Sequence, residues 1–258
     1  RPNVGKSSLM NRFVGEKVAI VSERPQTTRN RILGVAAGEG WQIVFVDTPG
    51  LHKPRNRLGE FMMQEAEAAR EDVDAVLAVV DGAHLGERDA AILDDVRQMA
   101  CPKFLAVNKT DLVTPEQLMP RLASLNVEGF ERVFSVSARQ GDNVDALKTA
   151  LVAAMPVGPK YFPDDMVTDQ PERVICAEII REKALRNLYD EVPHGIGVEM
   201  MGMQKIGDGR MEIHATIYCE KASHKGVIIG KQGAMLKKIG SEARVDIERL
   251  LGCKVMLR

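Results

Sequence analysis

The chain has 258 residues, which is enough for two domains of ordinary size. Hydrophobic residues make up 45% of it and the formal net charge is -1, which excludes a disordered acidic tail and a uniformly basic nucleic-acid coat. The four cysteines form no CxxC pair, so we expect free thiols in a reducing compartment. Without a signal peptide or an apolar run long enough to span a bilayer, the sequence predicts a cytoplasmic protein.

The first residues look like the end of a phosphate-binding loop. Gly5-Lys6-Ser7 closes a GxxxxGK[ST] motif whose first glycine would precede Arg1, so we expect further residues, including a strand, ahead of this chain. In such a loop, backbone N–H groups and the helix N-terminus wrap a phosphate chain. Lys6 would reach the β- and γ-phosphates, and the Ser7 hydroxyl would ligate Mg2+. Taken alone, the truncated motif is also consistent with a chance glycine–lysine–serine at a helix start.

Short β-branched runs alternate with amphipathic helical patterns up to residue 155. We predict strands at 32–36, 41–46, 75–80, 103–107 and 133–136, and helices at 6–13, 57–70, 87–99, 115–125 and 144–155. This alternation is typical of an α/β fold, with a mostly parallel sheet covered by helices on both faces. In such sheets ligands bind at the carboxyl ends of the strands, where the motifs below fall.

A proline-rich stretch, 156–171, separates this part from the rest of the chain. Beyond it we predict a helix at 172–188, strands at 197–204 and 211–220, a helix–loop–helix unit at 226–251 and an unfinished strand at 254–257. The expected organisation is therefore an α/β domain at 1–156, a linker at 157–171 and an α+β domain at 172–258.

Three further motifs, each after a predicted strand, support a nucleotide site. In Asp47-Thr48-Pro49-Gly50, Asp47 can hold magnesium through water and the Gly50 N–H can bond a γ-phosphate. Asn108-Lys109-Thr110-Asp111 has the NKxD form, whose aspartate accepts two hydrogen bonds from guanine; adenine would leave the buried carboxylate of Asp111 unpaired. Ser137-Ala138 matches the backbone element that contacts the guanine oxygen. Four motifs in this order predict a guanine-nucleotide site.

These residues resemble the translation-factor class of GTPases. In that class the loop at 26–31 would be the first switch segment, where a threonine completes the magnesium shell and senses the γ-phosphate. Thr28 is the favoured threonine and Thr27 is the alternative. The other interpretation is that both hydroxyls serve a solvated loop.

Leu51 stands where Ras-like GTPases carry a water-orienting glutamine, a role that leucine cannot fill. The chain thus resembles the subgroup with a hydrophobic residue there. In several members of that subgroup, a phosphate-loop asparagine ligates a potassium ion that substitutes for an arginine finger. Asn3 occupies the matching position, although a loop-stabilising asparagine explains it equally well. His52 is expected to be an exposed switch residue rather than a base.

The second part is charge-balanced except between residues 221 and 240, which hold five lysines and no acid. In the middle lies Gly230-Lys231-Gln232-Gly233, a GxxG loop through which a nucleic-acid backbone can approach closely because glycine has no Cβ. Ile228 and Ile229 would supply an apolar wall for bases, and the lysines would neutralise phosphates. Since the loop follows a β-hairpin and joins two helices, we predict a type II KH domain, which grips about four nucleotides of single strand. A solvated lysine face beside an ordinary glycine turn is the alternative.

Taken together, the chain resembles the Era family of bacterial GTPases over nearly its whole length. The most specific segments are RPNVGKSS, PQTTRNRILGV, DTPGLHKP, AEIIREK and VIIGKQG. The resemblance implies a GTPase that uses Mg2+, with potassium as a candidate second ion, and that assists small ribosomal subunit assembly. It also implies binding to the 3′ end of small-subunit ribosomal RNA, and some peripheral association with the inner membrane.

The site residues expected from these motifs fall into four groups. For GTP they are Asn3, Val4, Gly5, Lys6, Ser7, Ser8, Thr27, Thr28, Asp47, Thr48, Pro49, Gly50, Asn108, Lys109, Asp111, Ser137 and Ala138. Catalytic roles are predicted for Asn3, Lys6, Thr28 and Gly50, and magnesium binding for Ser7, Thr28 and Asp47. RNA contacts are predicted for Lys225, Ile228, Ile229, Gly230, Lys231, Gln232, Gly233 and Lys237.

Two other interpretations compete with this one. The chain could be a fragment of a tandem-GTPase ribosome-assembly factor, whose second GTPase domain also precedes a KH-like domain. That domain typically lacks GxxG, so the loop at 230–233 speaks against it. Alternatively, the chain could be chiefly an RNA-binding module with a vestigial nucleotide site. Intact Lys6, Ser7, Asp47 and Asp111 disfavour this alternative.

Overall fold

A computed structural model of the chain describes residues 1–22, 24, 27–28, 30–49, 60, 62, 64–66, 73–189, 192–207 and 209–258, without the side chain of residue 194. The chain forms two compact units. The N-terminal unit comprises Arg1–Val18 and Thr28–Asp169, and the C-terminal unit comprises Ala19–Thr27 and Gln170–Arg258. The short segment Ala19–Thr27 therefore groups with the C-terminal unit, a feature that the order of motifs along the chain does not reveal.

An antiparallel hairpin delivers Asp47 to the carboxyl end of its second strand. Strand β1 (Ile32–Gly38) pairs with β2 (Trp41–Asp47) along its whole length. Beyond the hairpin, the N–H of Val35 donates to the carbonyl of Val167 at 2.8 Å. The end of the predicted linker thus adds to the hairpin rather than standing apart from the N-terminal unit.

Three parallel strands form the centre of the N-terminal unit. They are β3 (Val76–Asp81), β4 (Lys103–Asn108) and β5 (Arg132–Ser135), with β4 in the middle. Alternate residues of β4 point into two different cores: Phe104 and Ala106 join one cluster, while Leu105 and Val107 join the other. Because both faces are buried, β4 is a continuous apolar run, as expected of a central parallel strand.

Helices cover both faces of this sheet, as the sequence predicted. Helix α1 (Lys6–Val14) and α4 (Val144–Ala154) contribute to one core, and α2 (Glu87–Arg97) and α3 (Pro115–Ala123) contribute to the other. Helices α2 and α3 each end two residues before the predicted limit. The predicted helix at 57–70 lies largely outside the described residues; those described within it, 60, 62 and 64–66, are helical.

The C-terminal unit has the predicted order of helix, two strands, two helices and a strand. Its elements are α5 (Glu172–Asn187), β6 (Ile196–Ile206), β7 (Arg210–Cys219), α6 (Ala222–Ile229), α7 (Ala234–Leu251) and β8 (Val255–Leu257). Strand β7 lies between antiparallel β6 and parallel β8. Fully buried Ile179 of α5, Ile213 of β7 and Ile239 of α7 show that these helices pack on the sheet.

Across the part of the chain that the structure describes, no helix combines the length and apolar character needed to cross a bilayer.

Candidate functional site

The phosphate loop is tied to the end of β4 through one buried amide. The Asn108 Nδ2 donates to the carbonyl of Val4 at 2.8 Å, and Asn108 Oδ1 accepts the N–H of Ala138 at 2.9 Å. Gly5 adopts φ 100, and a Cβ there would lie 2.1 Å from Asn108 Nδ2. Only glycine fits this position without displacing Asn108. The loop before α1 and the segment after β5 are thereby held at the same edge of the sheet.

Lys6, at the first position of α1, extends back along the loop. Its Nζ donates to the carbonyl of Arg1 at 3.0 Å. Burial lowers the pKa of its ammonium group, while the charge of Asp47 acts in the opposite direction. A buried cation at the start of a helix is suited to pair with an anionic ligand. This is where the sequence placed the lysine that contacts phosphates.

Three side-chain oxygens meet beside this lysine. Ser7 Oγ donates to Asp47 Oδ2 at 2.5 Å and lies 3.1 Å from Thr28 Oγ1, which donates to the same carboxylate oxygen at 3.3 Å. The other oxygen, Asp47 Oδ1, is buried and has no hydrogen-bond partner among the described residues. Burial raises the pKa of the Asp47 carboxyl, although Lys6 and the two hydroxyls oppose this shift. The cluster is thus an anionic oxygen site that is not fully satisfied within the described residues.

The two candidate switch threonines have different positions. Both are buried, but only Thr28 points its hydroxyl at Asp47. The Thr27 hydroxyl donates instead to the carbonyl of Arg24 at 2.6 Å. The structure therefore brings Thr28 together with the predicted magnesium ligands, whereas the Thr27 hydroxyl is bound to the backbone of Arg24.

The NKxD motif and the Ser137–Ala138 segment lie side by side. Asp111 Oδ1 accepts a hydrogen bond from Ser137 Oγ at 2.7 Å, and the N–H of Thr110 donates to the carbonyl of Val136 at 3.2 Å. Ser137 is fully buried. These contacts fix the Asp111 carboxylate beside Ser137, so the two predicted base-side motifs are adjacent.

Asp81, at the end of β3, is a supporting residue that the motif analysis missed. Its Oδ2 accepts a hydrogen bond from Lys109 Nζ at 2.7 Å. Burial alone would raise the pKa of Asp81, but the hydrogen bond and charge of Lys109 outweigh it, and the pKa lies below the usual value. Lys109 itself has φ 65, so the ion pair holds a strained backbone position. The sequence feature that could have identified Asp81 is an acidic residue that ends a buried strand and is followed by glycine.

Several predicted positions lie outside the described residues, namely Gly50, Leu51, His52, Gln26 and Arg29. Their roles remain predictions. The other phosphate-side residues are placed as follows: Asn3 adopts φ 60, Val4 and Pro49 are buried, and Ser8 and Thr48 are half-buried.

The GxxG sequence forms the connection between α6 and α7. Gly230 has φ 72, and a Cβ on it would lie 2.7 Å from the Cβ of Met235. Gln232 and Gly233 also have positive φ, so the loop turns sharply before α7 begins at Ala234. The exposed residues around it include Lys225, Lys231, Gln232 and Lys237, as predicted for a surface that meets phosphates.

Ile228 occupies a different place from the one expected. It is 5% exposed and packs in the core of the C-terminal unit, because α6 needs one residue to anchor it to the sheet. The predicted apolar wall is formed instead by Ile229 and by Val227, which are 37% and 50% exposed. Since α6 is short, sequence alone did not reveal which of the three faces inward.

Comparisons with known proteins identify the family of each part of the chain. Residues 1–109 match the family described as 50S ribosome-binding GTPase, and residues 191–258 match the KH domain family. The chain is therefore a P-loop GTPase domain joined to a KH domain. It is 50% identical over 260 residues to GTPase Era of Alkaliphilus metalliredigens, covering 100% of this chain and 88% of that protein, and 51% identical over 261 residues to GTPase Era of Clostridium tetani, with the same coverage. The chain belongs to the GTPase Era family.

Solved structures agree with this assignment. Era in complex with MgGDPNP and nucleotides 1506–1542 of 16S ribosomal RNA superposes with a TM-score of 0.94 at 34% identity, covering 100% of this chain and 89% of that one. Aquifex aeolicus Era bound to GDP and AlF4- gives the same values. The tandem-GTPase interpretation finds no support among these relatives, each of which is an Era protein matched over the whole of this chain.

Proposed function

We propose that this chain binds and hydrolyses GTP with Mg2+, and that its KH domain binds the 3′ end of small-subunit ribosomal RNA during assembly of the small ribosomal subunit. The proposed limits are a GTPase domain at 1–156, a linker at 157–171 and a KH domain at 172–258. One observation supports the nucleotide assignment most strongly. The Asn108 side chain bonds both to Val4 in the phosphate loop and to Ala138 in the predicted base-binding segment, and so holds the two together.

Asp111 is proposed to select guanine. Its carboxylate is held by Ser137 and can accept hydrogen bonds from the N1 and 2-amino groups of guanine. Adenine offers no such pair of donors, and an unpaired partly buried carboxylate costs binding free energy. Lys109, fixed by Asp81, would keep the backbone of this motif in place.

The oxygen cluster fits a magnesium ion. Ser7, Thr28 and Asp47 supply the hard oxygen donors that Mg2+ prefers. The buried Asp47 Oδ1 has no hydrogen-bond partner among the described residues and could accept one from a water in the metal's shell. When bound with GTP, magnesium neutralises charge on the β- and γ-phosphates. This role agrees with the MgGDPNP in the related Era complex.

The hydrolytic contribution of this chain is proposed to be electrostatic. Lys6 and the loop N–H groups, with Thr27 near the switch, would hold the phosphate chain, and the Gly50 N–H would bond the γ-phosphate. Because Leu51 cannot orient water, Asn3 is proposed to assist hydrolysis instead. It would do so either as a ligand of potassium or by stabilising the conformation of the phosphate loop.

The exposed lysines and positive-φ backbone of residues 230–233 support the RNA assignment. The related Era structure holds nucleotides 1506–1542 of 16S ribosomal RNA, which suggests the same target here. We further propose a cytoplasmic location with peripheral association with the inner membrane, which rests on the family resemblance alone; cell fractionation with antibody detection would test it.

Replacing Asp111 with asparagine tests the nucleotide assignment. Asp111→Asn should lower GTP affinity about 100-fold or more, because two hydrogen bonds to a charged acceptor are lost. Affinity for xanthosine triphosphate should rise, because the asparagine amide can donate to the oxygen that replaces the 2-amino group. Titration with both nucleotides measures this, and Asp145→Asn, an exposed acid on α4, is the matched control. Unchanged GTP affinity in Asp111→Asn would remove Asp111 from the site.

A further inference from the structure

Helix α5 of the C-terminal unit carries a dense group of buried charges that neither the nucleotide site nor the RNA loop uses. Arg181, Glu182 and Lys183 are 2%, 0% and 7% exposed. They are consecutive in the segment AEIIREK. Burying three consecutive charges is costly unless each is paired, so their partners indicate what they do.

Two of these charges hold the segment Ala19–Thr27, which belongs to the same unit. Glu182 Oε1 accepts the N–H of Val21 at 3.1 Å, and Arg181 Nη2 donates to the carbonyl of Thr27 at 2.5 Å. Arg186, one turn on from Glu182, donates from Nη2 to the carbonyl of Val21 at 2.9 Å. Both ends of the segment are thus fixed through their backbone, independently of their side chains.

The Thr27 carbonyl is part of the peptide group that continues into Thr28. Since a peptide group is planar, a hydrogen bond that fixes this carbonyl also fixes the N–H and Cα of Thr28. Thr28 belongs to the N-terminal unit, where its hydroxyl reaches Asp47 and Ser7. One peptide bond therefore connects the carbonyl held by Arg181 with the proposed magnesium-binding threonine.

Arg181 is shaped for this task. Its Nε and Nη2 donate to the two carboxylate oxygens of Glu178 at 2.8 and 2.5 Å, which orients the guanidinium plane toward Thr27. A lysine could keep the charge but could not hold Glu178 and the Thr27 carbonyl in this fork geometry.

We propose that Arg181 is a positioning residue for Thr28, with Glu182 and Arg186 fixing the start of the same segment. Through these three side chains, the first helix of the KH domain sets the position of Thr28. That position in turn determines how tightly the protein binds a nucleoside triphosphate relative to a diphosphate. This inference rests on the proposed function, because it takes Thr28 to be the threonine that senses the γ-phosphate and its magnesium. It adds that the sensing depends on a side chain about 150 residues away in sequence, in the other unit.

The distinguishing readout is the ratio of affinities for GDPNP and GDP. Arg181→Lys in the full-length protein should weaken GDPNP binding about tenfold, the loss of one hydrogen bond from a charged donor, and leave GDP binding unchanged. Fluorescent nucleotide titration in Mg2+ measures both. Arg173→Lys is the matched control, since Arg173 is on the same helix and donates to the carbonyl of Met200 within the KH sheet. It should leave the ratio at the wild-type value.

Two further variants separate the possible failures. Thr28→Ala should lower the GDPNP-to-GDP affinity ratio at least as much as Arg181→Lys. Arg186→Gln, at a side chain 47% exposed, should lower it a few-fold without loss of fold.

If Thr28→Ala lowers the ratio and neither arginine variant does, the inference is overturned while the assignment of Thr28 stands. If Thr28→Ala leaves the ratio unchanged, both are overturned. An equal fall in GDP and GDPNP affinity for Arg181→Lys would show a structural role only and would also overturn the inference.

Discussion

Lys6 and Asp47 show how burial prepares the phosphate side of the site. Desolvation lowers the pKa of the lysine and raises that of the aspartate, so burial disfavours the charged form of each. A phosphate chain beside Lys6 and a divalent cation beside Asp47 would each favour the charged form and so oppose the effect of burial. Ligand binding thus compensates a cost that folding has already incurred, which favours tight binding of a magnesium-bound nucleotide.

Asn3 offers a residue-scale test of how hydrolysis is assisted without a glutamine. If the asparagine ligates potassium, hydrolysis by the wild-type protein should be about 100-fold faster in potassium chloride than in sodium chloride, a size typical of one lost electrostatic contact to the transition state. Asn3→Ala should then hydrolyse GTP at the same slow rate in both salts. Phosphate release at equal ionic strength measures this.

The opposite pattern identifies the loop-stabilising role of Asn3. In that case the wild-type rates in the two salts are equal, and Asn3→Ala lowers nucleotide affinity in both, because Asn3 holds φ 60, a conformation that alanine rarely adopts. Asn3→Gly, which tolerates this conformation, would then restore binding.

At the scale of single residues, the sequence predicted which residue types form the site better than it predicted which way their side chains point. The motifs placed Asp47 and Asn108 correctly at strand ends and Asp111 in the turn after the same strand as Asn108, because a buried apolar run followed by a polar residue has few alternatives. They left open the choice between Thr27 and Thr28, which depends on the hydrogen bond from the Thr27 hydroxyl to the carbonyl of Arg24. They also missed Asp81, whose role depends on a partner 28 residues away.

At the scale of elements, the candidate sites are built where regular structure stops. The phosphate loop precedes α1, the NKxD motif follows β4, and the RNA loop separates α6 from α7. Backbone groups at such ends lack internal hydrogen-bond partners and are available to ligands. Positive φ angles at Gly5, Lys109 and Gly230 make each turn sharp enough to present those groups.

The loop between α6 and α7 gives the element-scale prediction. Lys231→Asp combined with Gln232→Asp should weaken binding to an RNA of the sequence 1506–1542 of 16S ribosomal RNA about tenfold or more, and reduce the salt dependence of log Kd by about 1, as expected for one lost phosphate contact. Filter binding across a range of salt concentrations measures both. GTP affinity should not change.

The chain supplies a matched control for this variant. Gln204 and Lys205 are the same two residue types, adjacent and exposed, on β6. Gln204→Asp with Lys205→Asp makes the same change in net charge away from the loop. Equal losses of RNA affinity in the two double variants would mean that the loop carries no specific contact and that only overall charge matters.

The types and the order of the helices and strands were predictable, because the 3.6-residue repeat of amphipathic helices and the short apolar runs of buried strands are both clear. The run at 103–107 and the helix at 172–188 match β4 and α5 to within one residue. The ends of α2 and α3 were less accurate, since the amphipathic pattern of each continues past its last helical turn. Burial of Ile228 could not be predicted, because α6 has only eight residues.

At the scale of the whole molecule, the two compact units of the structure do not coincide with the two domains expected from the sequence. A sequence boundary at the proline-rich linker would leave residues 1–156 together, yet Ala19–Thr27 groups with the C-terminal unit. The reason is a set of contacts to α5 that span more than 150 residues, such as Val21 with Glu182. No local pattern encodes such a pairing. It places the proposed switch threonine one peptide bond from the boundary between the units.

The nucleotide site of this chain is proposed to hydrolyse GTP with bound magnesium and to select guanine. Steady-state phosphate release by the full-length protein, with GTP or ATP at equal concentration, tests this directly. We expect release from GTP in Mg2+, a fall to background when EDTA removes the metal, and background release from ATP throughout, because Asp111 rejects adenine. Equal rates with ATP and GTP, or hydrolysis of GTP that persists in EDTA, would contradict the account.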